Sequence, residues 1–298
     1  MRQNTKQTVK QIAVLSGKGG TGKTSITAAF SILLKDRALT ADCDVDASNM
    51  SILLEGNDYH EEPFFAGQRA VVTAENCTGC GICEAVCRYD AIRVKNGIAE
   101  VNNFNCEGCN ACSVVCPEGA IGFKQNRSGT LYQRNTDYGE LVHAALGIAQ
   151  DNSGKLVSTV KERAKEISKA KNLNLIILDG PPGIGCPVHA TLTGISLVVA
   201  VTEPSMAGHH DLERLYSVCA HFKIPCVVII NKYDLSIEKS EEIEKFAENK
   251  NILVVGKIPF DKDIPRLQSK ALTPLELPEI KDILKKSLDK ILSTAGSI

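Results

Sequence analysis

What the 298-residue chain lacks narrows its function before any motif is read. It lacks a charge surplus, with 34 Lys and Arg against 35 Asp and Glu and a net charge of −1. Nucleic-acid binding normally leaves a basic excess, so this balance speaks against a nucleic-acid partner. It also lacks a long apolar stretch, since no run approaches the ~18 residues that a membrane span needs. The opening MRQNTKQTVK is polar and leads straight into QIAVLS, which is not the pattern of a signal peptide. The expectation is a cytosolic protein. Cysteine, by contrast, is plentiful at twelve residues. In a cytosolic chain that number argues for metal or redox chemistry and against disulfides.

Apolar runs of strand length recur at 10–16, 37–43, 173–179, 196–202, 226–231 and 252–258. Most lack alternation, as parallel strands buried on both faces do. Helical patterns fall between them at about 22–35, 155–171, 207–222 and 237–249. This alternation predicts an α/β fold with a doubly wound, mostly parallel sheet. It fails over 66–124, where eight of the twelve cysteines cluster and CTGCGICEAVC is echoed by CEGCNACSVVC. Residues 66–124 are therefore expected to form a small α+β domain inserted into a larger one made of 1–65 and 125–298.

In the insert, Cys77, Cys80, Cys83 and Cys87, then Cys106, Cys109, Cys112 and Cys116, repeat C-x2-C-x2-C-x3-C. Three thiolates at this spacing wrap one face of an iron–sulfur cubane, and the fourth reaches the other cluster. The expected ligand sets are Cys77, Cys80, Cys83 with Cys116, and Cys106, Cys109, Cys112 with Cys87. Zinc sites instead pair two CxxC units across a spacer. The block resembles a bacterial two-cluster ferredoxin along its whole length, including Pro117 after Cys116. It departs at Arg88, where such runs often carry proline. The resemblance implies two [4Fe–4S] clusters.

The second motif is Gly17-Lys18-Gly19-Gly20-Thr21-Gly22-Lys23-Thr24-Ser25, between a strand and a helix. That is the setting of a P-loop: backbone N–H groups turn in on phosphates, Lys23 meets the β and γ phosphates, and Thr24 can ligate Mg²⁺. One lysine suffices for this, so Lys18 has no evident use within the subunit. The loop resembles the deviant Walker A loop of the MinD, Mrp, ParA and nitrogenase iron-protein group. The resemblance implies that Lys18 reaches the partner's nucleotide across an ATP-dependent homodimer.

Other segments extend the resemblance. TADCDVDASN, with D-x-D at Asp42 and Asp44, looks like switch I. Asp44 would then orient the attacking water, with Asp46 as the rival for that role, and Asn49 would face the active site. LIILDGPPGIG looks like Walker B and switch II, in which Asp179 would hold Mg²⁺ through water and the Gly183 N–H would sense the γ-phosphate. NKYD fits a guanine-reading pattern, but the group uses an asparagine and backbone near a proline for adenine. Asn231 and Ile258-Pro259-Phe260 match that arrangement, which favours ATP over GTP.

Outside the insert, Cys43, Cys219 and Cys226 read as buried structural thiols. Cys219 and Cys226 do not form the CxxC with which Mrp-type carriers bridge their dimer. Cys186 has the same offset from Asp179 as a cluster ligand in the nitrogenase iron protein, without an evident second partner. His209 and His210 read as surface or capping residues. The tail carries a helical stripe of Leu277, Ile280, Ile283, Leu284, Leu288, Ile291 and Leu292, expected to pack on the sheet and not on a membrane. The leading functional expectation is an ATP-dependent homodimer that passes electrons through the clusters to a partner protein. The alternatives are a cluster scaffold or carrier, and a MinD-like positioning ATPase with redox-sensing clusters.

Overall fold

A computed structural model describes residues 9–297; most of the polar opening stretch lies outside them. The chain divides into two compact units. One comprises Met1–Glu62, Leu131–Ala145 and Ser153–Ile298, and the other comprises Pro63–Thr130 and Leu146–Asn152.

In the larger unit, β1 (Lys10–Ser16) is buried along nearly its whole length and leads through the glycine loop into α1 (Lys23–Leu34). Next come β2 (Leu39–Asp42), the single-turn α2 (Met50–Leu53) and the start of β3 (Gly56–Val72). The small unit carries α3 (Ile82–Val86), β4 (Ile92–Lys95), β5 (Ile98–Val101) and α4 (Ala111–Val114). The chain returns by β6 (Ile121–Thr136) and β7 (Gly139–Leu146). Then follow α5 (Ser153–Ala170), β8 (Leu175–Pro182), α6 (Cys186–Leu192), β9 (Leu197–Thr202), α7 (Met206–His221) and β10 (Cys226–Asn231). The chain closes with α8 (Ile237–Asn249), β11 (Leu253–Ile258), α9 (Ile264–Gln268) and α10 (Pro278–Ser297).

The main sheet has nine strands in the order β11-β10-β9-β1-β8-β2-β7-β6-β3. From β11 to β7 every neighbouring pair is parallel, including β1 with β8 and with β9. Strand order reverses at β1, so the crevice beyond its carboxyl end is where a doubly wound sheet binds ligands. Strands β3, β6 and β7 are absent from the sequence-derived list. Pro63 lies inside β3, and an interior proline argues against a strand except at a sheet edge, which is where β3 stands.

The tail stripe is buried as the packing reading requires. Ile280, Leu284, Leu288 and Ile291 of α10 join Phe30 of α1 and Val255 of β11 in one core. Among the described residues, no helix is long and apolar enough to cross a membrane. In the small unit the core is thin: Ala70, Ala91, Ile92, Ala99 and Ile121 pack with Cys83, Cys106 and Cys112. Thiols take the places that large aliphatic side chains hold elsewhere.

Candidate functional site

A cavity of ≈ 510 Å³ opens at the carboxyl end of β1. Gly19, Gly20, Thr21, Gly22, Lys23, Thr24 and Ser25 line it, together with Asp44, Asn49 and Asn231. Gly22 has φ +89° and caps α1, and a Cβ there would run into the Asn231 amide. Only glycine meets both demands. Asn231 Nδ2 in turn donates to Thr21 O at 2.8 Å, tying the end of β10 to the loop.

Lys23 is buried and donates to Asp179 Oδ1 at 2.9 Å, with Asp44 Oδ2 at 3.9 Å. Thr24 Oγ1 donates to Asp179 Oδ2 at 2.7 Å, and Thr27 Oγ1 to Oδ1 at 2.9 Å. Burial works against the Lys23 ammonium, but Asp179, Asp44 and Asp42 together outweigh it and raise its pKa. Asp42 is fully buried and accepts from Ser48 Oγ, the Asp44 N–H and the Met50 N–H. Burial, then Asp179, pushes its carboxyl up to about 7. Burial also raises the Asp44 carboxyl, against the pull of Lys23. Three carboxylates thus surround one lysine. That excess of negative charge, with the Thr24 hydroxyl beside Asp179, suits a divalent cation.

Of the two switch I rivals, Asp44 faces Lys23 and lines the cavity, whereas Asp46 is exposed. The Gly183 N–H donates to Ser16 O at 2.9 Å, so the segment just after β8 rests on β1. Gly17, Lys18, Gly183, Asp179 and Pro259 do not line the cavity themselves, although Pro182, Ile258 and Phe260 do. Gly17 is packed so closely on Asp211 of α7 that a Cβ would clash with its backbone.

Lys18 corrects a sequence expectation. It has a partner inside the subunit: its Nζ lies 2.6 Å from Glu203 Oε1 and 3.4 Å from Ser205 Oγ. Glu203 Oε2 takes Lys232 Nζ at 2.9 Å, and Lys232 also donates to Gly20 O at 3.1 Å. Burial would raise the Glu203 carboxyl, but the hydrogen bonds from Lys18 and Lys232 lower it. Glu203 escaped the sequence reading. Its signal was position, just past β9 on the same carboxyl edge as the loop.

In the NKYD segment, Asp234 Oδ1 accepts the Phe260 N–H at 2.6 Å. The carboxylate that would read guanine is therefore engaged in holding the turn after β11.

The eight clustered cysteines face two further cavities. Cys77, Cys80, Cys83 and Cys116 line one, and Cys87, Cys106, Cys109 and Cys112 line the other; each is small, ≈ 20 Å³ against ≈ 510 Å³ at the glycine loop. Backbone N–H groups point at sulfur: Ala99 at Cys77 (3.5 Å), Ala91 at Cys87 (3.4 Å), Ala70 at Cys106 (3.5 Å) and Ala120 at Cys116 (3.3 Å). None of the eight is in a disulfide, and burial raises the pKa of Cys83 and Cys112. Among the described residues, no three His, Cys, Asp or Glu side chains close on a point that would hold a single metal ion. Elsewhere, Cys43 and Cys219 are buried, Cys226 Sγ donates to Val227 O at 3.6 Å, and Cys186 is exposed at the start of α6. His209 meets the Phe246 ring edge to face.

Known proteins agree with the larger unit. Residues 12–275 match the CobQ/CobB/MinD/ParA nucleotide binding domain. The uncharacterized protein MJ0578 of Methanocaldococcus jannaschii is 31% identical over 286 residues, spanning 95% of this chain and 96% of its own. Among solved structures, the septum site-determining protein MinD of Pyrococcus horikoshii, complexed with Mg-ADP, has a TM-score of 0.59 at 18% identity and covers 96% of this chain and 97% of its own. MinD in the MinC:MinD cell division complex of Aquifex aeolicus gives 0.56 at 16%, with 95% and 96% covered. These likenesses show an α/β P-loop fold with a large, mostly parallel sheet, and the chain belongs to the CobQ/CobB/MinD/ParA nucleotide-binding family.

Proposed function

We propose that the chain is a MinD-type nucleotide switch: an ATPase that binds Mg-ATP in the loop cavity, dimerises on it and acts through that dimer on a partner protein. The observation that carries this reading is the pair of lysines. Lys23 sits inside the cavity's carboxylate cluster, while Lys18 is held outside the cavity, on Glu203. A lysine that serves no phosphate in its own subunit is free to serve one in another.

Each residue then has a stated task. Lys23 leaves Asp179 for the β and γ phosphates. Thr24 and Asp179, already hydrogen bonded to each other, would hold Mg²⁺, which supplies charge neutralisation at the phosphates. The Asp44 carboxylate orients the attacking water, and the Gly183 N–H exchanges Ser16 O for the γ-phosphate. Asn231, Ile258 and Phe260 border the base, and the engagement of Asp234 favours adenine over guanine. Light scattering of the purified protein tests this reading. Mass should double with Mg-ATP and stay monomeric with Mg-ADP or Mg-GTP. A monomer under all conditions, with no nucleotide-dependent thermal shift, refutes it.

A second reading adds to the first: the small unit houses two [4Fe–4S] clusters, so that the switch controls electron transfer to the partner. Two sets of four thiols each line their own cavity, with N–H groups aimed at sulfur. A cubane spreads its ligands wider than one ion does, so this donor set fits it. A unit of this size with so thin an apolar core also needs a staple. When bound, the clusters would supply one-electron chemistry. Iron and acid-labile sulfide in anaerobically purified protein test this. About eight of each per chain is expected. Zinc, or no metal, overturns the cluster reading and leaves the nucleotide switch standing.

A further inference from the structure

Lys161 lies in the middle of α5, a position where a helical lysine normally faces water, yet it is only 4% exposed. Its ammonium donates to three backbone carbonyls at the end of α6: Ala190 O at 3.1 Å, Thr193 O at 2.6 Å and Thr191 O. An ammonium has three donors, and here each has an acceptor. The last carbonyls of a helix have no partner within it and form the negative end of its dipole. Lys161 therefore works as an inserted C-cap for a helix that is not its own.

That helix is the continuation of switch II. Gly183 and α6 belong to one short segment, anchored at the front by the Gly183 N–H on Ser16 O and at the back by Lys161. We infer that Lys161 is a positioning residue for this segment, fixing α6 so that the Gly183 N–H arrives in register with a terminal phosphate. The inference rests on the nucleotide-switch reading. The groups facing the ammonium are the Cys43 thiol just after β2 and Lys165 one turn along α5. From α6 come carbonyls, while the His189 ring lies against Phe222. Through Cys43, whose N–H donates to Asp179 O at 2.7 Å, the same lysine adjoins switch I. Burial brings the Lys161 pKa down to about 8, with Lys165 adding to the shift and Cys43 opposing it.

The test compares Lys161→Met with Lys161→Arg in the full chain, reading Mg-ATP affinity, phosphate release from pH 6.5 to 9, and amide exchange over 183–192. Lys161→Met should bind nucleotide normally and lose turnover by ~10–100-fold, since small misplacements far from the reacting atoms cost that much. Lys161→Arg, which keeps donors and charge, should recover most of it. The wild-type rate should decline on the alkaline side near pH 8, and the Arg variant should not. Exchange over 183–192 should quicken in Lys161→Met while α5 stays protected. If the Met chain does not fold, Lys161→Gln, with two donors, carries the same readouts. Unchanged turnover and unchanged exchange in Lys161→Met overturn the inference. Absence of hydrolysis in the wild type would sink the switch reading instead, and the exchange measurement would still decide whether Lys161 anchors α6.

Discussion

Glu203→Gln should make the protein dimerise more readily with Mg-ATP. In the monomer Glu203 holds Lys18 at 2.6 Å and Lys232 at 2.9 Å, so Lys18 must leave this ion pair before it can reach another subunit's phosphates. The side chains of Lys18 and Glu203 are 31% and 20% exposed. Solvent screening at such a site limits the pair to ~1 kcal/mol. Two subunits each give up one pair on assembly, so the latch opposes dimerisation by about 2 kcal/mol. At 1.4 kcal/mol per tenfold, the dimer dissociation constant should fall roughly 30-fold in Glu203→Gln. Sedimentation equilibrium in the Asp44→Ala background, where ATP is not consumed, reads this directly. The gain should shrink as salt is raised, because the latch is electrostatic. A Glu203→Gln protein that melts normally yet dimerises no better than wild type refutes the latch.

Other expectations follow from single contacts. Asp234→Ala frees the Phe260 N–H and should weaken ATP binding by ~1 kcal/mol, about fivefold, without any change in GTP binding; calorimetric titration checks both. His143 is held neutral: burial, then the Arg134 charge, lowers its pKa from 6.5 to about 4. The unfolded chain then binds the proton first, so this group's contribution is full above pH 6.5 and is lost as pH falls through about 4, with a total of ~3 kcal/mol. Asp42, whose carboxyl is raised to about 7, titrates with the opposite sign, so wild type must be compared with His143→Phe, which keeps the stack on Tyr132. By urea unfolding, wild type should lose stability relative to His143→Phe as the pH falls from 6.5 to about 4. Leu284→Ala should cost 2–5 kcal/mol by the same assay, because the side chain is fully buried in the core under α10.

The parts of this protein that announce themselves in sequence are those whose chemistry is local. The phosphate loop, the cysteine repeats and the helical stripe of α10 each depend on spacings of a few residues, so the pattern is the structure in miniature. Strands β9 and β10 were legible because burial on both faces leaves them almost purely apolar. Strand β3 was not, since Pro63 and the charged residues before it erase the pattern, and only the edge position makes them tolerable. Glu203 and Lys161 were hidden for a different reason. Each is an unremarkable residue on its own element, given meaning by a carbonyl or an ammonium far away in the chain. A lysine on an amphipathic helix reads as solvent-facing, and nothing near Lys161 in sequence shows the end of α6 above it.

The central claim is that Lys18 acts between subunits and Lys23 within one. Light scattering of Lys18→Ala with Mg-ATP, alongside its nucleotide affinity, tests that claim most directly. The account predicts a protein that binds ATP as wild type does and stays monomeric, whereas Lys23→Ala fails at binding itself. A Lys18→Ala protein that still forms the ATP-dependent dimer would contradict it.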